Sequence, residues 1–85
     1  MDIEILQFQP EIKGAKKGYV DFKVAYDNDN WEVFRNVACF SNGEKRWLSY
    51  PSTKRDDNWI PLYERGKPMK EINEEVIRLI KNELH

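Results

Sequence analysis

The stretch YVDFKVAYDNDNWEVFRNVACFSNGE, residues 19–44, decides the fold of this chain. Residues 19–26 alternate with a period of two, which is typical of a β-strand with one buried face. The apolar face holds Val20, Phe22, Val24 and Tyr26, and the other face holds Tyr19, Asp21, Lys23 and Ala25. DNDN at 27–30 predicts a turn, because Asn and Asp tolerate the left-handed backbone region. A half-buried strand followed by a turn is therefore expected here.

A second strand is predicted over WEVFRNVACF, residues 31–40. Regular alternation would place Trp31, Val33, Val37 and Cys39 on one side and Phe34, Ala38 and Phe40 on the other. Both sides are mostly apolar, which indicates the central strand of the sheet or a strand with a bulge. SNGE at 41–44 contains Asn-Gly, a strong hairpin signal, and predicts a return through KRWLSY at 45–50.

Shorter strands and loops are predicted on either side of this region. DIEILQF, residues 2–8, partly alternates and predicts a strand, whereas 9–18 contain Pro10, Gly14 and Gly18 and predict a loop. PSTKRDDN at 51–58 predicts a polar loop, and NWIPLY at 58–63 predicts a last strand. Pro61 favours an edge position for that strand, because proline cannot donate to a ladder.

The C-terminal segment predicts a helix that begins near Pro68. Its apolar stripe consists of Met69, Ile72, Val76, either Leu79 or Ile80, and Leu84. Glu74 and Arg78 have the spacing of a favourable i,i+4 pair. The whole chain, 1–85, is thus predicted to be one α+β domain. It consists of a curved antiparallel sheet of four to five strands, with one C-terminal amphipathic helix covering one face.

Composition narrows the class of protein. With 85 residues the chain is small enough to bury only about 60–65% of its unfolded surface, so we expect a homodimer. No apolar run approaches the roughly 20 residues that span a bilayer, and the acidic start lacks the features of a signal peptide. The single cysteine, Cys39, excludes an internal disulfide. These features predict a cytoplasmic protein without a membrane partner.

Residues suited to catalysis are sparse. The one histidine is His85, and Cys39 lies in a predicted strand beside Phe40, where an inert buried thiol is the favoured interpretation. Asp27 and Asp29 lack the rest of a calcium loop, and no glycine-rich phosphate loop is present. We therefore expect no enzyme activity, no cofactor, no metal site and no small-molecule substrate.

Aromatic and basic residues are interleaved in KRWLSYPSTKRDDNWIPLY, residues 45–63. Rings that stack on bases and cations that contact phosphates suit single-stranded nucleic acid. This interpretation predicts that phosphates are held by Arg46, Lys54, Arg55, Lys16 and Lys17, and that Trp47 or Trp59 stacks on a base. The net charge of −1 argues against indiscriminate binding. The alternative is a structural or protein-interaction module, in which the rings fill a second core, a dimer interface or a partner surface.

The segment YPSTKR at 50–55 resembles the Met-Pro-Ser-Lys-Arg signature of the SpoVG (stage V sporulation protein G, septation regulator) family. The order of a hairpin at SNGE, the strand RWLSY, the Pro-Ser loop, a strand ending WIPLY and a charged terminal helix is also similar. Tyr50 replaces the family's Met, and Thr53 is inserted before Lys54. The resemblance implies a dimeric cytoplasmic protein that binds DNA or RNA and regulates gene expression. It also implies nucleic-acid contacts at Lys54, Arg55, Arg65 and Lys67.

Overall fold

The computed structural model describes residues 1–55, 58–61 and 68–84, and within 52–61 it describes the backbone alone. Over these residues the protein has the predicted α+β fold, an open four-stranded antiparallel sheet with one C-terminal helix. The sheet has the order β1-β2-β3-β4, with β1 at Asp2–Lys13, β2 at Lys16–Ala25, β3 at Trp31–Ser41 and β4 at Arg46–Ser49. The remaining elements are β5 (Ser52–Arg55), β6 (Asn58–Pro61), the helix α1 (Met69–Leu79) and a 3-10 turn at Lys81–Glu83.

The core lies between α1 and one face of the sheet. Val20, Phe22 and Val24, which share the predicted apolar face of β2, are all 0% exposed. The helical segment contributes its apolar stripe to the same cluster through Ile72, Val76, Ile80 and Leu84. Leu79 is instead 41% exposed, so Ile80 is the inward residue of the two that the sequence left open. The helix therefore covers only one side of the sheet.

A β-bulge in β3 decides which of its side chains enter the core. Val20 is paired with Val37 and Phe22 with Phe34, so one residue of β2 stands opposite Arg35 and Asn36. Asn36 has a φ of 56°, a left-handed conformation that asparagine tolerates better than most residues. The extra residue inverts the alternation and brings Phe34 to the same face as Val37 and Cys39. The regular alternation expected from the sequence was wrong for Phe34, and the predicted possibility of a bulge is confirmed.

The first hairpin is longer than predicted, and the loop expected over residues 9–18 is wrong. Pairing between β1 and β2 continues to Lys13 and Lys16, and only Gly14 and Ala15 form the turn. Pro10 is tolerated because β1 is an edge strand, where a missing donor breaks no ladder on the outer side. Gly18 is paired with Pro10, and a Cβ at Gly18 would lie 2.4 Å from the Gln9 carbonyl oxygen. Glycine is therefore required there by close packing.

The region after β4 also departs from the sequence-based assignment. The stretch predicted as a polar loop contains β5, and β5 pairs with β6 in a separate two-stranded sheet. The last predicted strand therefore does not extend the main sheet, which has four strands.

In α1, Arg78 pairs with Glu75 at i,i+3 and not with Glu74 as expected, and this contact lowers the pKa of Glu75. Across the described ranges, the helical segments are too short and too polar to traverse a bilayer.

Candidate nucleic-acid interface

The side of the main sheet that faces away from α1 carries a set of rings and cations. Strand alternation and the cross-strand registers place them on one surface, because directly paired residues share a face. We call this surface the open face, and its rings and cations are Lys16, Tyr19, Lys23, Trp31, Phe40 and Trp47. A continuous sheet surface with exposed rings can present them to a flat ligand.

Trp31 and Lys23 form the most exposed ring–cation pair of the open face. Trp31 is 59% exposed, and the Lys23 Nζ lies 4.9 Å from the centroid of its ring. Glu4 is the cross-strand partner of Lys23, yet no carboxylate of the described residues lies within ion-pair distance of this amine. The ammonium is attracted to the indole face, an interaction worth about 0.5–1 kcal/mol at an exposed site. One indole face and a positive charge are thus held together at the surface.

Phe40 and Trp47 form a second group at the other end of the face. Their rings are stacked with centroids 5.3 Å apart and an interplanar angle of 4°. Trp47 is 39% exposed, and it belongs to β4, which is the edge strand of the main sheet. Phe40 therefore covers one face of the Trp47 indole, while the other face points away from β3. An additional planar group can extend this stack outward.

Lys16 lies beside this second group, since it is the cross-strand partner of Phe40. Its Nζ donates a 2.7 Å hydrogen bond to the Tyr19 hydroxyl and lies 3.7 Å from a carboxylate oxygen of Glu11. The hydrogen bond to Tyr19, with Glu11 contributing less, raises the pKa of Lys16 above its ordinary value. The amine stays charged, but Glu11 already neutralises much of that charge.

An ion pair that neutralises the charge of Asp21 lies between the two groups. One carboxylate oxygen of Asp21 accepts a 2.8 Å hydrogen bond from the backbone N–H of Asn36, and the other lies 3.5 Å from Arg35 Nη1. Arg35 keeps 66% of its side chain exposed, so further guanidinium donors remain accessible. The centre of the face is therefore electrically neutral and able to donate hydrogen bonds.

Arg46 lies on the opposite side of the sheet from Trp47, as strand alternation predicts. It lines a groove of about 430 Å³ between β4 and α1, together with Trp47, Leu48, Lys70, Asn73, Glu74 and Ile77. Asn73, which lines the groove, accepts a 2.5 Å hydrogen bond through its side-chain oxygen from the Tyr50 hydroxyl. Trp47 borders both this groove and the open face, because β4 is the edge between them.

The predicted binding residues therefore do not all share one surface. Trp47 and Lys16 lie on the open face, Lys17 is half-buried at a bulge between the paired positions Lys16 and Gly18, and Arg46 lies in the groove. Lys54, Arg55 and Trp59 lie on β5 and β6, and their side chains are outside the described residues. Lys54 and Trp59 are nevertheless backbone partners in that ladder. Arg65 and Lys67 also lie outside the described residues.

Four residues of the candidate interface were not predicted from the sequence: Trp31, Lys23, Tyr19 and Phe40. Period-two alternation had already placed Tyr19 and Lys23 on the face opposite the apolar residues of β2. Trp31 could not be added to them, because regular alternation grouped it with the buried residues Val37 and Cys39. Placing the bulge at the polar dipeptide Arg35-Asn36 would have given the observed grouping.

Cys39 contributes nothing to this surface. It is 0% exposed, and its Sγ–H donates a 3.5 Å hydrogen bond to the Val37 carbonyl oxygen. Burial raises its pKa to about 12, so the thiolate needed for nucleophilic attack does not form near neutral pH. The expected burial of the thiol is confirmed. Among residues 1–55, 58–61 and 68–84, no group of histidine, cysteine or carboxylate side chains could hold a metal ion.

The chain matches no protein-family model, no curated protein and no solved structure.

Proposed function

We propose that the protein binds single-stranded nucleic acid, DNA or RNA, on the open face. The observation that carries this proposal is the exposed indole of Trp31 with the Lys23 amine above it. An aromatic ring gains about 1–3 kcal/mol from stacking with one base, and an adjacent cation contacts the phosphate that the base carries. Single strands are the expected form, since their bases are free to leave their neighbours and lie on a protein ring.

The proposal extends to the biological role that the family resemblance implies. The protein would act as a small cytoplasmic homodimer that regulates gene expression, with neither catalysis nor a cofactor. A second copy has a plausible contact at the edge strand β1, where Leu6 is 43% and Ile12 is 77% exposed. Lys54, Arg55, Arg65 and Lys67 remain proposed phosphate contacts of the segment after β4.

The test is fluorescence anisotropy with labelled (dT)12 and (rU)12 at low and high salt. We expect binding that weakens steeply with salt, because each neutralised phosphate releases a counterion. Trp31→Ala should weaken binding about tenfold, within the range of one lost stacking contact, and Lys23→Ala should reduce the salt dependence. Lys81→Ala is the matched control, because Lys81 is an exposed lysine beyond the end of α1. No complex at low salt with either oligonucleotide would refute the proposal.

The second candidate function is a protein-interaction module, and exposed aliphatic side chains favour it. Leu6, Ile12 and Leu79 are large hydrophobic residues with at least 41% of their surface exposed. Such residues on a small protein often mark a contact surface when they lie close together. Affinity capture that recovers one defined protein after nuclease treatment, and that Ile12→Ser abolishes, would favour this function over nucleic-acid binding.

A further inference from the structure

The two ring groups of the open face lie far apart along β3. Trp31 is the first residue of β3 and Phe40 is the tenth, with one extra residue in the bulge between them. At about 3.3 Å per strand residue, eight regular steps separate the two positions by roughly 27 Å. We call Trp31 with Lys23 the Trp31 station, and Phe40 with Trp47 the Trp47 station.

Both stations present an exposed indole that a residue of the preceding strand contacts. Lys23 belongs to β2, so it covers the side of Trp31 that faces β2. Phe40 belongs to β3, so it covers the side of Trp47 that faces β3. The face of the Trp47 indole away from Phe40 therefore points toward the β4 side of the sheet, and the Trp31 indole is 59% exposed. Beside Trp31 that side is unoccupied by β4, whose ladder pairs only with residues 38–41.

Cations accompany each exposed indole. Lys23 lies at the Trp31 station, and Arg35 is exposed about halfway along β3. Beyond Trp47 the groove contributes Arg46 and Lys70, and neither forms an ion pair with the described residues. Glu74 also lines the groove, so the two cations there outnumber the acid by one. Unpaired cations of the described residues thus lie at or next to each station, and Arg35, whose charge Asp21 balances, supplies further guanidinium N–H donors between them.

We propose that one nucleic-acid strand bridges both stations along the β4 side of the sheet, with bases stacked on Trp31 and Trp47 and phosphates at Lys23, Arg35, Arg46 and Lys70. This inference rests on the proposed function and specifies its ligand as a strand of defined minimum length. A strand stacked as in a duplex rises about 3.4 Å per nucleotide, so 27 Å is about eight steps and requires about nine nucleotides, whereas a more extended strand needs fewer. Occupying the second station is then an intramolecular event, which raises affinity beyond the sum of added phosphate contacts.

The test is a length series of single-stranded oligothymidylates, from (dT)2 to (dT)12 in steps of two, measured by anisotropy at low salt. We expect a rise in affinity of at least about tenfold at one step between four and ten nucleotides, followed by a shallow increase. Trp31→Ala should abolish that rise while binding of (dT)4 is retained at the Trp47 station. Lys70→Ala should weaken every length, and Lys81→Ala should reproduce the wild-type series.

The outcomes separate this inference from the proposal on which it rests. Binding of all lengths with a uniform gain per nucleotide, or a rise that persists in Trp31→Ala, would overturn the two-station arrangement and leave nucleic-acid binding intact. A failure of every oligonucleotide to bind at low salt would overturn both. A rise that Trp31→Ala and Trp47→Ala each remove, in variants with wild-type circular dichroism, would support the bridge.

Discussion

The Asp21 carboxylate receives a hydrogen bond from the backbone N–H of Asn36, 2.8 Å away across the β2–β3 ladder. This contact satisfies a donor that the bulge removes from regular pairing, because only Asp21 stands opposite Arg35 and Asn36. The bulge in turn sends Phe34 into the core and Trp31 to the open face. A single acidic side chain therefore supports the feature that separates core from candidate ligand surface.

Asp21→Ala is expected to lower the free energy of unfolding by about 1–3 kcal/mol, because the Asn36 N–H and the Arg35 guanidinium both lose an acceptor. Asp29→Ala is the matched control, since Asp29 is an exposed acid in the turn before β3. Urea denaturation followed by circular dichroism measures both. Equal stability of the two variants would show that the bulge forms without this contact.

Gly18→Ala is expected to destabilise the protein by about 3 kcal/mol, because the new methyl group would lie 2.4 Å from the Gln9 carbonyl oxygen and 2.8 Å from the Phe8 ring. Gly14→Ala places a methyl group in open space, at a positive φ that costs about 1–2 kcal/mol. Thermal unfolding of the two variants should therefore rank Gly18→Ala as the less stable. The reverse order would contradict the packing between β1 and β2.

Alkaline pH should destabilise the protein in part through Cys39. The thiol ionises near pH 9.0 in the unfolded chain and near pH 12 in the folded one, so between these values only the unfolded state loses the proton. Stability then falls by about 1.4 kcal/mol per pH unit through this group as pH rises. Urea unfolding at pH 8 and pH 10.5 should show a loss about 2 kcal/mol larger in the wild type than in Cys39→Ala. The same loss in both proteins would argue against a buried thiol.

Glu4→Gln is expected to strengthen oligonucleotide binding several-fold at low salt, because it removes the negative charge directly opposite Lys23. The gain should vanish at high salt, since interactions between exposed charges are screened beyond the Debye length. Glu83→Gln in the 3-10 turn is the control for the change in net charge. If both variants gained equally, the effect would come from overall charge and not from the open face.

Lys54→Ala with Arg55→Ala is expected to weaken binding by a similar factor on poly-T, poly-A and mixed sequences, because phosphate contacts carry no base information. Anisotropy titrations on the three sequences measure this. A loss confined to one sequence would assign base contacts to this segment, whereas no loss would remove both residues from the proposed interface.

The sequence predicted which strands and helix form better than it predicted which side chains of each element face the core. Alternation in β2, Asn-Gly in the β3–β4 hairpin and the apolar stripe of α1 are local signals, and each led to the correct element. Which side chains of β3 face the core was not predictable in this way, because both of its sides are apolar and the bulge is bonded to Asp21, fifteen positions before Asn36. Pairing of β5 with β6 was missed since the polar composition of 52–55 favours a loop.

The candidate site was predicted in part for the same reason. Trp47 and Lys16 were identified as candidate residues from the sequence, whereas Arg46, predicted with Trp47, lies on the opposite side of β4. Trp31 and Lys23 meet across two strands, so their contact depends on the register between β2 and β3. The register between β2 and β3 can be assigned only when the position of the bulge is known. No residue type by itself marks the position of the bulge.

The bulge also divides β3 into positions under different evolutionary constraint. Phe34, Val37 and Cys39 fill the interior, so substitutions there carry a packing cost whatever the ligand is. Trp31 and Val33 face outward and can vary with little loss of stability. Descendants of this chain could therefore change what the sheet recognises through residues 31 and 33 while the fold stays intact.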